Sequence, residues 1–301
     1  MPRLHPSRLD QLPASVAKPR YDRSALRSGI VHLGVGAFQR AHLAAATEAA
    51  IEASKDLSWG IVGVSLRSPD TRDALAAQQG LYTLALRDAD AQDAPRERLQ
   101  VIGCLSEVLV APDDPATVHE RIADAATRIV SLTVTEKGYL DVTPGSTIAT
   151  LLHGLALRHA NGRGGITLLS LDNLPGNGTL LRERLLAHAR TTDEALADWI
   201  GTHCTFPCSM VDRIVPRTTD ADRAQISAQL GMDDAWPVVA EPFPSDLHML
   251  GRGLVGLMCQ PLRVMRAGPT ALPHLDDVPT IRHLPGVKLV ARTSRAIKRA
   301  L

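Results

Sequence analysis

Residues 30–42 read Ile-Val-His-Leu-Gly-Val-Gly-Ala-Phe-Gln-Arg-Ala-His. An apolar run from Ile30 to Leu33 breaks at Gly34-x-Gly36, and an alanine-rich stretch of helical character follows, Ala41 to Ala53. Strand, glycine turn and helix in that order is how a dinucleotide-binding sheet begins. Gly34 permits a tight turn, and Gly36 lets the backbone come close to a pyrophosphate. The helix then offers free N–H groups and the positive end of its dipole to the phosphates. The usual fingerprint has a third glycine where this chain has Gln39, and an ordinary strand–turn–helix satisfies the same pattern.

The rest of the chain repeats that alternation. Ile30–Leu33, Gly60–Leu66, Leu99–Ile102, Ile129–Val134 and Ile166–Leu171 are short runs rich in Ile, Val and Leu, the composition of parallel strands buried on both faces. Helical patterns occupy Ala41–Ser54, Thr71–Ala77, Pro115–Ala126, Thr147–His159, Arg182–Ala189, Asp193–His203 and Asp220–Leu230. Pro69 or Asp70 is placed to start the second of these, and Asp114-Pro115 is a good N-cap and N1 pair for the third. The expected fold is α/β, a Rossmann-type doubly wound and mostly parallel sheet. Composition shifts after Phe243: from Pro244 the chain is rich in Arg, Pro, Met and His, with poor periodicity. Residues 1–243 therefore read as one domain and 244–301 as an aberrant C-terminal part.

Apolar residues make up 45% of the 301 but aromatics only 3%, so the core is built from Ala, Leu, Val and Ile. Lys+Arg 33 against Asp+Glu 32 leaves +1, which offers no global field for nucleic acid or an anionic membrane. There is no run of about 18 apolar residues and no apolar leader in Met1–Arg27, so the cytoplasm is the expected compartment. Cys104, Cys204, Cys208 and Cys259 do not make a disulfide framework in a chain this long. Cys204-x3-Cys208 has no ordered partner pair, so two half-buried thiols are expected rather than a metal site.

Two predicted strands run into polar clusters, Thr135-Glu136-Lys137-Gly138-Tyr139 and Asp172-Asn173-Leu174-Pro175-Gly176-Asn177-Gly178. Ligands of open α/β sheets bind beyond the carboxyl ends of the strands, so Gly36, Glu136 and Asn173 are expected to line one crevice. Turn chemistry at Gly138 and Pro175-Gly176, with Asp172 capping a helix, is the alternative. Beyond the second strand, Asp70 is placed to meet a ribose 2′-hydroxyl, while Arg67 suits a 2′-phosphate. Asp212-Arg213, in an apolar frame, reads as a structural ion pair. His42 reads as packed or beside a cofactor rather than a metal ligand.

Five blocks now stand in a recognisable order: Gly34-Val-Gly-Ala-Phe-Gln-Arg-Ala-His42, Thr133-Val-Thr-Glu-Lys-Gly-Tyr139, Ser170-Leu-Asp-Asn-Leu-Pro-Gly-Asn-Gly178, Phe206-Pro-Cys-Ser-Met-Val-Asp-Arg-Ile-Val-Pro216 and Glu241-Pro-Phe243. From about Arg20 to Phe243 the chain resembles the long-chain mannitol dehydrogenases, and within them looks closest to the fructuronate reductase branch. The resemblance implies NAD-dependent, metal-independent hydride transfer between nicotinamide and a secondary alcohol or ketone. The substrate would be a small linear polyol or sugar acid, D-mannonate/D-fructuronate or, alternatively, mannitol. It implies cofactor contacts from Gly34, Gly36, Phe38 and Arg40, to which position beyond the strands adds Glu136 and, unless it only caps the next helix, Asp70, and it makes Asn173 the catalytic donor to the reacting oxygen. It also implies a helical C-terminal domain bearing Lys-x4-Asn-x2-His, which supplies the base.

The departures are as informative. Gln39 replaces a usual histidine, the insertion expected after Tyr139 is nearly absent, and the lysine motif has no match: Lys288 is followed by Thr293 and Ala296, and Lys298 has too little chain after it. Pro244–Leu301 is accordingly expected to be a truncated or frame-shifted continuation, with a genuine divergent tail as the alternative, and to be loosely packed, with Lys288 far from Asn173. A catalytically inactive dinucleotide-binding fragment is the competing functional expectation.

Overall fold

A computed structural model describes residues 1–89, 95–209 and 213–242. The expectations for Asp212, Cys259, Lys288, Lys298 and Pro244–Leu301 lie outside these. Met1–Pro242 forms one compact unit.

Five strands make an all-parallel sheet: β1 (Ser28–Leu33), β2 (Gly60–Ser65), β5 (Leu105–Val110), β6 (Ile129–Leu132) and β7 (Thr167–Ser170), in the order β5-β2-β1-β6-β7. β1, β2, β6 and β7 are buried almost throughout, which follows from their Ile/Val/Leu runs. Val31, Leu33, Val130, Leu132 and Leu168 share a core with α4 (Pro115–Ala123), α5 (Thr147–Ala160), α6 (Asn177–Thr192) and α7 (Glu194–His203). The alternate residues Ile30 and Ile61 are equally buried on the opposite face, as period-2 side chains of a doubly covered sheet must be. The chain winds outward from β1 through β2 to β5, then returns to lay β6 on the other side of β1. That reversal is the switch point of a doubly wound sheet.

A second, smaller sheet departs from expectation. Leu99–Ile102 is not a strand of the parallel sheet but the end of β4 (Pro95–Ile102), antiparallel to β3 (Tyr82–Ala89). The short β8 (Val238–Ala240) joins β3 from the other side, in parallel. The sheet packs Leu81, Ala85, Leu99, Val101 and Val239 against the N-terminal Leu4, Leu12 and Val16 and against Ile226 and Leu230 of α8 (Asp220–Leu230). Buried Asp234 ties these parts together: it accepts from Gln78 Nε2 at 3.0 Å and from the Thr83 N–H at 2.6 Å. Burial raises its pKa above the usual carboxylate value.

The first predicted helix is two segments, α1 (Ala37–Ala41) and α2 (Leu43–Ser54), interrupted at His42 (φ −103°, ψ −78°). α3 (Asp70–Ala76) starts after Pro69, and Asp114 Oδ1 caps α4 by accepting the Thr117 N–H at 3.0 Å. Among the described residues no helix is long and apolar enough to cross a membrane.

Candidate functional site at the strand carboxyl ends

Parallel strands put their carboxyl ends on one edge, and here three loops meet there. Gly34 turns the chain after β1 with φ +96°, and its N–H and that of Val35 both donate to Val64 O, at 2.9 and 3.1 Å. A Cβ on Gly34 would stand 2.3 Å from Thr133 O, so no other residue fits this turn. Thr133 Oγ1 in turn donates to Gly34 O at 2.8 Å. The turn is thus pinned between the ends of β2 and β6. Beneath it, fully buried His32 bonds Ser131 Oγ (2.9 Å) and Thr133 Oγ1 (3.1 Å) through its two ring nitrogens. Burial pushes its pKa down to about 3, so the ring is neutral.

Gly36 is the N-cap of α1 with an extended backbone. A Cβ there would meet nothing nearer than Gly34 O at 3.7 Å, so the space above it is open. Gln39, in place of the third glycine, is fully buried, and among the described residues neither end of its amide has a hydrogen-bond partner. Phe38 is half-buried and stacks on His42 with ring centroids 5.0 Å apart. Arg40 is placed differently from the expectation. Its guanidinium is buried over the Tyr82 ring, 5.1 Å from the centroid, and donates to Trp236 O, while Tyr82 Oη donates to Arg40 O at 2.7 Å. The side chain binds α1 to the small sheet and is not presented at the glycine turn. Arg213 plays a related part. Its Nη1 donates to Ala41 O, the carbonyl left at the interruption of the helix, and its Nε donates to Glu241 O at 2.8 Å. Burial holds its pKa down at about 10.

The loops after β6 and β7 are joined side by side. Asp172 Oδ1 accepts the Val134 N–H at 2.8 Å and Oδ2 accepts from Tyr139 Oη at 2.5 Å. Tyr139 Oη also lies 2.6 Å from Ser170 Oγ. Burial raises the pKa of Asp172, and burial together with the Asp172 contact raises that of Tyr139. Asp172 therefore does not cap a helix. The N-cap of α6 is Gly176, and buried Asn177 fastens the loop's far end: its Nδ2 donates to Asp172 O (2.9 Å) and Ser209 Oγ (3.0 Å), and its Oδ1 accepts from the Ser209 N–H (3.0 Å). Between these fastenings Asn173 is exposed. Glu136 is exposed in the first turn of a short 3-10 helix after β6, and Asp70 is exposed as the first residue of α3, its Oδ2 accepting from Ser68 Oγ at 2.9 Å.

The DNLPGNG motif makes Asn173 conspicuous in the sequence, but the structural burden falls on Asp172 and Asn177. The signal for Asn177 lay in the Asn-Gly pair before a helix. The signal for Tyr139 lay in an aromatic side chain closing a strand-end loop. Cys204 is buried, with its thiol pKa raised to about 11, while Cys208 is exposed, so the two are not alike. Among the described residues no group of three or more His, Cys, Asp or Glu is arranged to hold a metal ion.

Comparison with known proteins agrees with this geometry. The sequence pattern of the mannitol dehydrogenase Rossmann domain matches residues 28–245. Mannitol 2-dehydrogenase of Phaeosphaeria nodorum is 40% identical over 264 residues, covering 80% of this chain and 45% of that protein. Among solved structures, the ternary complex of Pseudomonas fluorescens mannitol 2-dehydrogenase with NAD and D-mannitol has a TM-score of 0.74 at 40% identity. It covers 80% of this chain and 53% of that one. A substrate-free D-sorbitol dehydrogenase has a TM-score of 0.73 at 35% identity, covering 81% and 54%. The chain spans about half the length of the curated relatives it matches.

Proposed function

The chain belongs to the mannitol dehydrogenase family, and on that premise we propose that it binds NAD over the carboxyl ends of β1 and β6, as the dinucleotide half of a polyol oxidoreductase. The observation that carries this reading is the reversal of strand order at β1, with the Gly34–Gly36 turn standing at that point. Open α/β sheets bind dinucleotides there.

The residues fit the cofactor. The open space above Gly36 lets a pyrophosphate oxygen reach the backbone, and the first N–H groups of α1 have no acceptor within the helix. Phe38 and the exposed Asp70 and Glu136 complete the binding set, Asp70 taking the ribose hydroxyls. Arg40 holds α1 against the small sheet. Bound NAD supplies the hydride acceptor for oxidation of a secondary alcohol. Asn173 donates its amide N–H to the oxygen of the reacting carbon, where charge accumulates in the transition state. The loop fastenings keep that amide in place.

For the substrate we favour a neutral linear polyol and its ketose over the D-mannonate/D-fructuronate pair, because the relatives that match are named for mannitol and sorbitol. The test is an NADH titration by fluorescence with wild type and Gly36→Val. Valine suits the extended backbone at this position, so the change fills the space above the turn without opposing the fold. We expect NADH affinity to fall at least tenfold, with the unfolding temperature nearly unchanged. Undiminished NADH binding by Gly36→Val would sink the assignment.

A further inference from the structure

The strand order divides the parallel sheet at its switch point into β1, β2 and β5 on one side and β6 and β7 on the other. In sheets of this kind each half carries one mononucleotide. The residue beyond β2 that tells a ribose 2′-hydroxyl from a 2′-phosphate necessarily faces the adenosine ribose, since the extra phosphate of NADP is there. The half made by β6 and β7 is then left for the nicotinamide riboside. Its two loops are the ones fastened by Tyr139 and Asp172.

The fastening and the hydrophobic core use different parts of the tyrosine. The Tyr139 ring is 2% exposed and packed with Leu132, Ile148 and Leu181 in the main core. Its hydroxyl, in contrast, leaves that core to meet the half-buried Asp172 carboxylate at 2.5 Å, and the same carboxylate takes the Val134 N–H. One carboxylate thus joins the backbone of the β6 loop to the base of the β7 loop. A phenol–carboxylate bond of this length is charge-assisted and directional. Two loops held in fixed relation give a ligand a preformed wall, and the cost of ordering them does not fall on binding.

We propose that Tyr139 and Asp172 are positioning residues for the nicotinamide ring of the cofactor, acting through the wall that carries Asn173 and leaving the ADP-ribose portion untouched. The inference rests on the NAD assignment above, and its test separates the two. NADH and ADP-ribose are titrated against the 301-residue protein and its Tyr139→Phe and Asp172→Asn variants. ADP-ribose keeps the adenosine, the pyrophosphate and a ribose but lacks the nicotinamide ring. Phenylalanine keeps the ring in the core and removes only the hydroxyl. Asparagine keeps an acceptor for Val134 and removes the charge.

For Tyr139→Phe we expect NADH affinity to fall about tenfold, the scale of the ordering cost that then falls on binding, with ADP-ribose affinity within about twofold of wild type. Asp172→Asn is expected to show the same selective loss to a smaller degree, and it decides the matter if Tyr139→Phe does not fold. Equal NADH affinity in wild type and variants overturns the inference. So does a parallel loss of both ligands, which would make the latch a fold element only. A wild-type protein that binds neither ligand overturns the NAD assignment itself and the inference with it.

Discussion

His32 lies mid-strand in β1 with no exposure, between Ser131 and Thr133. Its imidazole meets two hydroxyls and the Gly34 carbonyl but no carboxylate, so the loss of solvent around a charge outweighs what the carbonyl returns, and its pKa falls to about 3. In the unfolded chain the ring titrates near 6.5. Below that value the unfolded state takes up a proton that the native state refuses, so stability falls as pH drops from about 6.5 towards 3. At pH 5 the loss from this group is about 2 kcal/mol relative to pH 8. His42, held down to about 4 by burial and by Arg213, adds to it in the same direction. Glu48 and Asp234, raised by burial, act in the opposite sense as pH rises. The contribution of His32 is therefore read as a difference: urea unfolding of wild type and His32→Gln at pH 8 and pH 5. We expect wild type to lose about 2 kcal/mol more than the variant over that interval. Parallel losses would show that the ring is protonated in the native state.

At the scale of elements, the carboxyl-end loops depend on close backbone approach. A Cβ on Gly178 would lie 2.4 Å from Pro207 O and 2.6 Å from Phe206 O. Both are main-chain atoms, so relief requires α6 or the Phe206–Ser209 segment to move. Gly178→Ala is expected to cost about 1–3 kcal/mol as overpacking, read as a drop of several degrees in unfolding temperature. Gly164→Ala, with nothing within 4 Å, should leave the temperature almost unchanged, and a similar drop in both would refute the packing argument. The elements most legible in sequence were those whose burial is uniform. Ile30–Leu33 and Ile129–Val134 contain strands because both faces are covered, and Asp114-Pro115 marks a helix start by its own chemistry. β3 was not legible, since Leu84, Ala85 and Leu86 carry no alternation strong enough to oppose a helical reading. β5 is an edge strand with Ser106 and Glu107 exposed or half-exposed, and β8 is three residues held only by β3. At the site, Gly34 and Gly36 could be read from spacing. The commitment of Arg40 to Tyr82 and Trp236 could not, because the partners lie 42 and 196 residues away.

At the scale of the molecule, binding a dinucleotide and turning over a polyol are separable demands. The first, as proposed above, needs the Gly34–Gly36 turn and the loops after β6 and β7, all of which lie within residues 28–242. The second also needs a proton acceptor beside the reacting hydroxyl, with a pKa near the working pH. A lysine meets that need when burial disfavours its charge. Among the described residues the lysines are Lys18, Lys55 and Lys137. Only Lys137 belongs to a loop at the strand carboxyl ends, and it is exposed. Asp172, the half-buried carboxylate of that edge, is already committed to Tyr139 and Val134. The residue pattern Lys-x4-Asn-x2-His does not occur in the 301 residues. We therefore expect the purified 301-residue protein to bind NADH yet to show no polyol-dependent reduction of NAD and no consumption of NADH with D-fructose or D-fructuronate. Binding and turnover are measured on the same preparation, so that an unfolded sample is not mistaken for an inactive one. Sustained turnover would mean that this chain carries its own base, and loss of that turnover in Lys137→Met, Lys288→Met or Lys298→Met would identify it.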